Sequence, residues 1–161
     1  ADPAKHASVL MLQALQDELT NSKQEYWAEQ VDIQRKAATA WVAQAEGKKA
    51  EALTLMRSAA DLEDASEKSV AMENRLWPMR ELLGELHLEQ NEPALALKEF
   101  ETSLGDARNR LRGFYGAARA AEKAGDRRKA AAFYEKILAL TKNADSDRPE
   151  IKQAKAFLAA R

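Results

Sequence analysis

Four pairs of residues recur at a constant offset of 34 positions: Gly84 and Ala118, Ala96 and Ala130, Phe100 and Tyr134, Leu104 and Leu138. Small residues are repeated as small and large apolar ones as large, so what recurs is a packing role. A period of about 34 residues accommodates two short helices and the turn between them. One such hairpin cannot bury its own apolar face, whereas stacked hairpins share a continuous core. The offset therefore predicts an all-α chain of stacked antiparallel helix pairs.

Composition agrees. Ala, Leu, Glu, Lys and Arg dominate the 161 residues, while only 6 Gly and 4 Pro interrupt them, a balance that favours helix nearly throughout. With 0 Cys, disulfides, thiolate nucleophiles and cysteine-based zinc sites are excluded. No run approaches the roughly 18 apolar residues of a membrane span. The chain opens Ala1-Asp2-Pro3; of the two origins this suggests, an exported mature protein or a piece of a longer one, the expectation adopted is export to the periplasm rather than residence in the cytoplasm. The net charge of −1 hides an asymmetry: residues 1–60 carry 7 basic and 8 acidic side chains, 61–106 carry 4 and 12, and 107–161 carry 14 and 6. An acidic middle followed by a basic end makes a strongly dipolar molecule.

Helix punctuation divides the chain further. Val9, Leu12, Leu15 and Leu19 give one apolar stripe and predict a helix over 4–19. Ser22 and Glu25 have capping-box spacing and predict the start of a long helix ending near Glu46, with Gly47 as a left-handed cap. A helix over 48–65 follows. Pro78 is placed to open the next, and Asn91-Glu92-Pro93 to turn into its partner, which Gly105 is expected to stop. Asn109 is the expected N-cap of the following helix, Gly125-Asp126 the next turn, and Pro149 the start of a terminal helix carrying Ile151, Ala154, Phe157 and Leu158. About eight helices result.

The segment Leu83-Gly84-Glu85-Leu86-His87, followed by Ala96 and Phe100, resembles the tetratricopeptide repeat, with His87 where that pattern usually has tyrosine. The next unit matches through Ala117-Ala118, Gly125-Asp126, Ala130, Tyr134 and Leu138. An earlier unit is looser: Thr39-Ala40, Gly47, Ala52, Met56 and Ala59, displaced by about ten additional residues after Glu67. The chain is also similar to the C-terminal region of larger bacterial proteins of this family. The resemblance implies a right-handed superhelical solenoid of antiparallel helix pairs. Its parts would be an N-terminal helix and the start of a long helix (4–32), repeats at 33–66, 77–110 and 111–144, an insertion at 67–76 and a capping helix at 149–161, all in a single domain spanning 1–161.

Catalytic constellations are absent from the sequence. His6 and His87 are the only histidines and lack ligand spacing; His87 reads as a partly buried residue filling an aromatic slot. Glu81 and Glu85 share a helical face and read as solvated carboxylates. Gly113-Phe114-Tyr115-Gly116 is no phosphate loop, since no strand precedes it and no Gly-Lys-Ser/Thr follows. The expectation is a protein that is not an enzyme and uses no cofactor or metal. The basic set Arg108, Arg110, Arg112, Arg119, Lys123, Arg127, Arg128 and Lys129, with Phe114 and Tyr115 interleaved, raises single-stranded RNA as a minor alternative. The acidic middle, which would repel a polyanion, argues against it.

The family lines its inner, concave surface with the first helix of each hairpin. Carried onto this chain, the groove residues are Trp41, Glu81, Glu85, Arg112, Tyr115 and Arg119. Such a mixed surface suits a peptide or helix with charges and an apolar anchor. The lysine and asparagine clamp of chaperone-binding members is missing, and Glu81 and Glu85 stand where it would need donors. The expected function is a protein-interaction scaffold; the alternative is self-association, with the acidic middle of one copy meeting the basic C-terminal region of another or the N-terminal helix packing across a dimer axis.

Overall fold

The computed structural model describes residues 3–66, 77–145 and 147–160, with side chains from His6 onward. The expected insertion at 67–76, Ser146 and Arg161 lie outside the described residues. Among the described residues there are eight α-helices and no strand: α1 (Pro3–Asn21), α2 (Glu25–Ala45), α3 (Lys49–Ala65), α4 (Met79–Glu89), α5 (Pro93–Asp106), α6 (Leu111–Lys123), α7 (Arg127–Leu140) and α8 (Pro149–Ala159). None of them is long and apolar enough to cross a membrane. The chain forms two compact units, residues 1–83 and 84–161, with the boundary inside α4.

One turn is used four times. At the end of α2, Gly47 adopts φ +80°; its N–H donates to the Gln44 carbonyl at 3.0 Å and the Lys48 N–H to the Ala43 carbonyl at 2.9 Å. These two bonds are the Schellman closure, which satisfies carbonyls that the helix end leaves unpaired. The same pair of bonds closes α1 at Lys23 (φ 57°), α4 at Asn91 (φ 62°) and α6 at Gly125 (φ 81°). In each case the next residue is the N-cap or N-terminal neighbour of the following helix, so the chain reverses within three residues. Antiparallel hairpins α1–α2, α2–α3, α4–α5 and α6–α7 follow.

In the first unit, α2 packs on both α1 and α3. Its buried face is almost entirely alanine (Ala28, Ala37, Ala40, Ala43) around Ile33, and it meets Ala52, Met56, Ala59 and Ala60 of α3. Small side chains allow close backbone approach, and Ile33 and Met56 fill the remaining gap. The end of α3 then fastens the start of α4. Buried Glu63 accepts the Met79 N–H at 2.8 Å, placing a carboxylate at a helix N-terminus where the dipole favours it. Arg80 bonds Asp64 at 2.7 Å and Asp61 at 2.6 Å.

In the second unit the core is built around Phe100 and Tyr134, with Ala96, Ala117, Ala118, Ala130, Ile137 and Phe157. All four 34-residue pairs fall at core or core-edge positions; Ala96, Ala118 and Ala130 have 0% exposure. The Phe100 ring lies between two glycines. A Cβ added at Gly84 would lie 2.8 Å from it, and one at Gly116 only 2.2 Å.

Four local expectations are corrected. Ser22 does not cap α2: its hydroxyl donates back to the Glu18 carbonyl at 2.8 Å, and the N-cap is Gln24. Gly105 does not stop α5, which runs on to Asp106. Asn109 is not the cap of α6; it takes a left-handed φ of 60°, and Arg110 is the N-cap. His87 is fully rather than partly buried, at 1% exposure, with its Nδ1 partnered by Glu92 Oε2 at 2.7 Å.

Candidate functional site

Burial on α6 is lopsided. Gly113, Phe114, Gly116, Ala117, Ala118, Ala120 and Ala121 are all buried, which leaves Arg112, Tyr115, Arg119 and Glu122 as an outward stripe at three- and four-residue spacing. The wide buried arc exists because α5 and α7 pack on either side of this helix. A stripe on a helix clamped from both sides is held rigidly.

Three sequence-predicted residues come together on this face. Arg119 Nη1 donates to both carboxylate oxygens of Glu85 at 3.2 Å, joining α6 to the second half of α4. Glu85 and Arg119 are 34 residues apart, so they are equivalent positions of successive hairpins. The guanidinium carbon lies 5.4 Å from the centroid of the Tyr115 ring, within cation–π range. Only Nη1 is engaged by Glu85, so Nε and Nη2 remain donors. Both side chains of the ion pair are about a quarter exposed, 29% and 26%, so the pair itself adds little stability.

From Tyr115 the face continues through a chain of hydrogen bonds that carries no sequence signal. Tyr115 donates its hydroxyl proton to Gln153 Oε1 at 2.6 Å. Gln153 Nε2 donates to the Tyr134 oxygen at 2.9 Å, and Tyr134 donates to Glu122 Oε2 at 2.8 Å. The relay ties α6, α7 and α8 together. Burial, then the hydrogen bond to Glu122, raises the Tyr134 phenol well above its ordinary range. Burial likewise raises Tyr115, against the opposing charge of Arg119. Both phenols are therefore neutral donors at any physiological pH. Glu150, at the start of α8, is held below the usual carboxylate range chiefly by its hydrogen bond with Arg148, with Arg112 contributing at longer range.

The other three predicted residues differ in placement. Arg112 is exposed one turn before Tyr115. Trp41 is half-buried on α2, in the first unit. Glu81 also belongs to the first unit and is 1% exposed rather than solvated, so it does not offer its carboxylate to an incoming molecule. Gln153, Tyr134 and Glu122 escape sequence reasoning because their pairing crosses helices without a common period, and Tyr134 carries only a core signal.

The arrangement supplies hydrogen-bond donors, an aromatic face and a partly neutralised cation. It lacks a nucleophile activated by a neighbouring base. Among the described residues no group of three His, Asp or Glu is placed to hold a metal ion. No protein-family model and no curated protein is significantly similar to the chain.

Proposed function

We propose that this chain is a non-catalytic scaffold of the tetratricopeptide type, whose hairpins stack as a right-handed superhelical solenoid. In this reading it binds a peptide or helix of a partner protein across the face carrying Glu85, Arg112, Tyr115 and Arg119. The observation that carries the reading is the Glu85–Arg119 pair: equivalent positions of consecutive hairpins, lying side by side and still partly exposed. A scaffold of this kind presents one surface from every repeat, and tyrosine and arginine are the residues that most often dominate interface energetics. The fourfold use of one turn supports the stacking. A ligand carboxylate would compete with Glu85 for Arg119, while Arg112 and the Tyr115 ring would hold neighbouring atoms.

The test is affinity capture from the source organism, comparing the natural chain with a Tyr115→Ala/Arg119→Gln double variant that melts at a similar temperature. Direct titration of each retained protein, purified, then follows. Retention by the first chain and at least tenfold weaker binding by the second supports the assignment. Equal binding by both removes this face as the site.

One observation favours a second reading, self-association through α1. Leu10, Met11 and Leu15 on that helix are 68%, 73% and 42% exposed, an unusual outlay of apolar surface for a monomer. Sedimentation across a concentration series tests it: a constant monomer mass in the natural chain rejects the idea, and a dimer lost on Met11→Lys supports it.

A further inference from the structure

A separate cleft of about 370 Å³ opens in the second unit where the end of α5 meets α6 and α7. It shares no residue with the Glu85–Tyr115–Arg119 face. Leu104, Phe114 and Phe133 give it apolar walls, the two rings lying 6.4 Å apart and tilted. Arg108 and Lys136 are the cations lining it. Lys136 Nζ is 5.4 Å from the Phe114 centroid and 5.5 Å from that of Phe133. It is held there by the ring faces, with no carboxylate partner among the described residues. Arg108 uses Nε on the Gly105 carbonyl at 3.3 Å, and its terminal nitrogens make no ion pair among the described residues. The acid at the cleft, Glu101, is occupied by Lys129 at 2.7 Å. The cleft thus combines apolar and polar walls with two positive charges that make no ion pair among the described residues. The α6 helix also begins here, after an N-cap that gives no side-chain cap, so its positive dipole end adds to the same field.

We propose that this cleft docks a short acidic segment of a partner protein, seating one apolar side chain against Leu104 and the edge of Phe133 while a flanking carboxylate is taken by Arg108 and Lys136. The volume is near the lower end for ligand pockets and admits one or two residues, not a long peptide. Charge-assisted bonds to a carboxylate add directionality to apolar burial that alone has none. A nucleic acid fits less well. Base stacking needs an open ring face, but Phe114 is only 8% exposed and the Lys136 ammonium already covers both rings.

The probe is acetyl-Glu-Phe-Glu-amide, compared with acetyl-Gln-Phe-Gln-amide and an oligouridylate, each titrated into the full isotope-labelled chain and followed by NMR. The expected result is a saturable shift of Gly105, Phe114 and Phe133 with the acidic peptide. It should weaken with salt and weaken about tenfold in either Lys136→Gln or Arg108→Gln. Both positions are exposed, so the variants should fold normally. Equal affinity for the neutral peptide overturns the role of the cations, and absence of shifts overturns the site. Tighter binding of the oligouridylate at the same signals reassigns it to nucleic acid. The Tyr115→Ala/Arg119→Gln variant should bind the acidic peptide unchanged, so this site and the α6 face can fail independently.

Discussion

Phe100 shows how much one side chain can demand of its neighbours. Its ring occupies the space where Gly84 and Gly116 lack a Cβ, and the shortfall is greatest at Gly116, where an added carbon would meet the ring at 2.2 Å. Gly116→Ala should therefore cost about 1–3 kcal/mol despite the better helix propensity of alanine. Gly105 is also helical, and a Cβ added there would have nothing within 4 Å. Gly105→Ala should accordingly gain about 0.5–1 kcal/mol. Denaturant unfolding of the two variants checks both signs at once. The Tyr134 hydroxyl makes a different claim. Because its folded-state pKa is raised, the contribution is complete below the ordinary tyrosine pKa of about 10. It is lost as pH climbs towards the folded value, since the unfolded chain then releases a proton that the folded one keeps. Natural protein should lose stability above that pH more steeply than Tyr134→Phe. At neutral pH the same variant should be about 1–2 kcal/mol less stable through its lost hydrogen bonds.

At the scale of elements, the three-residue link repeated after α1, α2, α4 and α6 needs a left-handed residue at its middle position. Glycine fills it at positions 47 and 125, asparagine at 91 and lysine at 23. Lysine carries a Cβ penalty there, so Lys23→Gly should stabilise the chain by about 1 kcal/mol, read as a higher melting temperature. The link from α3 to α4 rests on Glu63 accepting the Met79 N–H. Glu63→Ala would leave a buried donor unpaired and should cost about 1–3 kcal/mol. Glu63→Gln keeps an acceptor and should cost less than half as much, the difference being visible in thermal melts. These elements also explain which helix ends are legible in the sequence. Gly47, Asn91, Gly125, Pro93 and Pro149 announce them through backbone chemistry that acts within a few residues, and each stands where its residue type predicts. Ser22 misleads because a serine before a helix can equally bond back into the preceding one. Asn109 has a left-handed backbone, a role asparagine fills as readily as capping. The Glu63 cap joins residues 16 apart, and the Tyr115–Gln153 bond residues 38 apart; neither separation matches the 34-residue period, so neither has a signature.

For the whole molecule, the charge asymmetry read from composition resolves into local arrangements in the second unit. Arg119 is shared with Glu85 and Lys129 with Glu101, while Arg108 and Lys136 make no ion pair among the described residues. Of the six residues expected to line one groove, Glu85, Tyr115 and Arg119 make a connected face, and Arg112 extends its stripe. Their common signal is helical spacing on one element plus the 34-residue offset to another. Trp41 depends on the looser first repeat, whose register is displaced by about ten residues; Glu81 stands in the repeat at 77–110, 34 positions before Tyr115, and its burial follows no pattern that helical spacing could disclose. The proposed scaffold role is tested most directly by amide hydrogen exchange of the full chain, alone and with a captured and purified partner. Binding across the α6 face should slow exchange in the segments 84–89, 111–123 and 149–159, and the effect should be lost in the Tyr115→Ala/Arg119→Gln variant. Unchanged exchange in those three segments, with protection confined to α1 or to the cleft between α5 and α7, would contradict it.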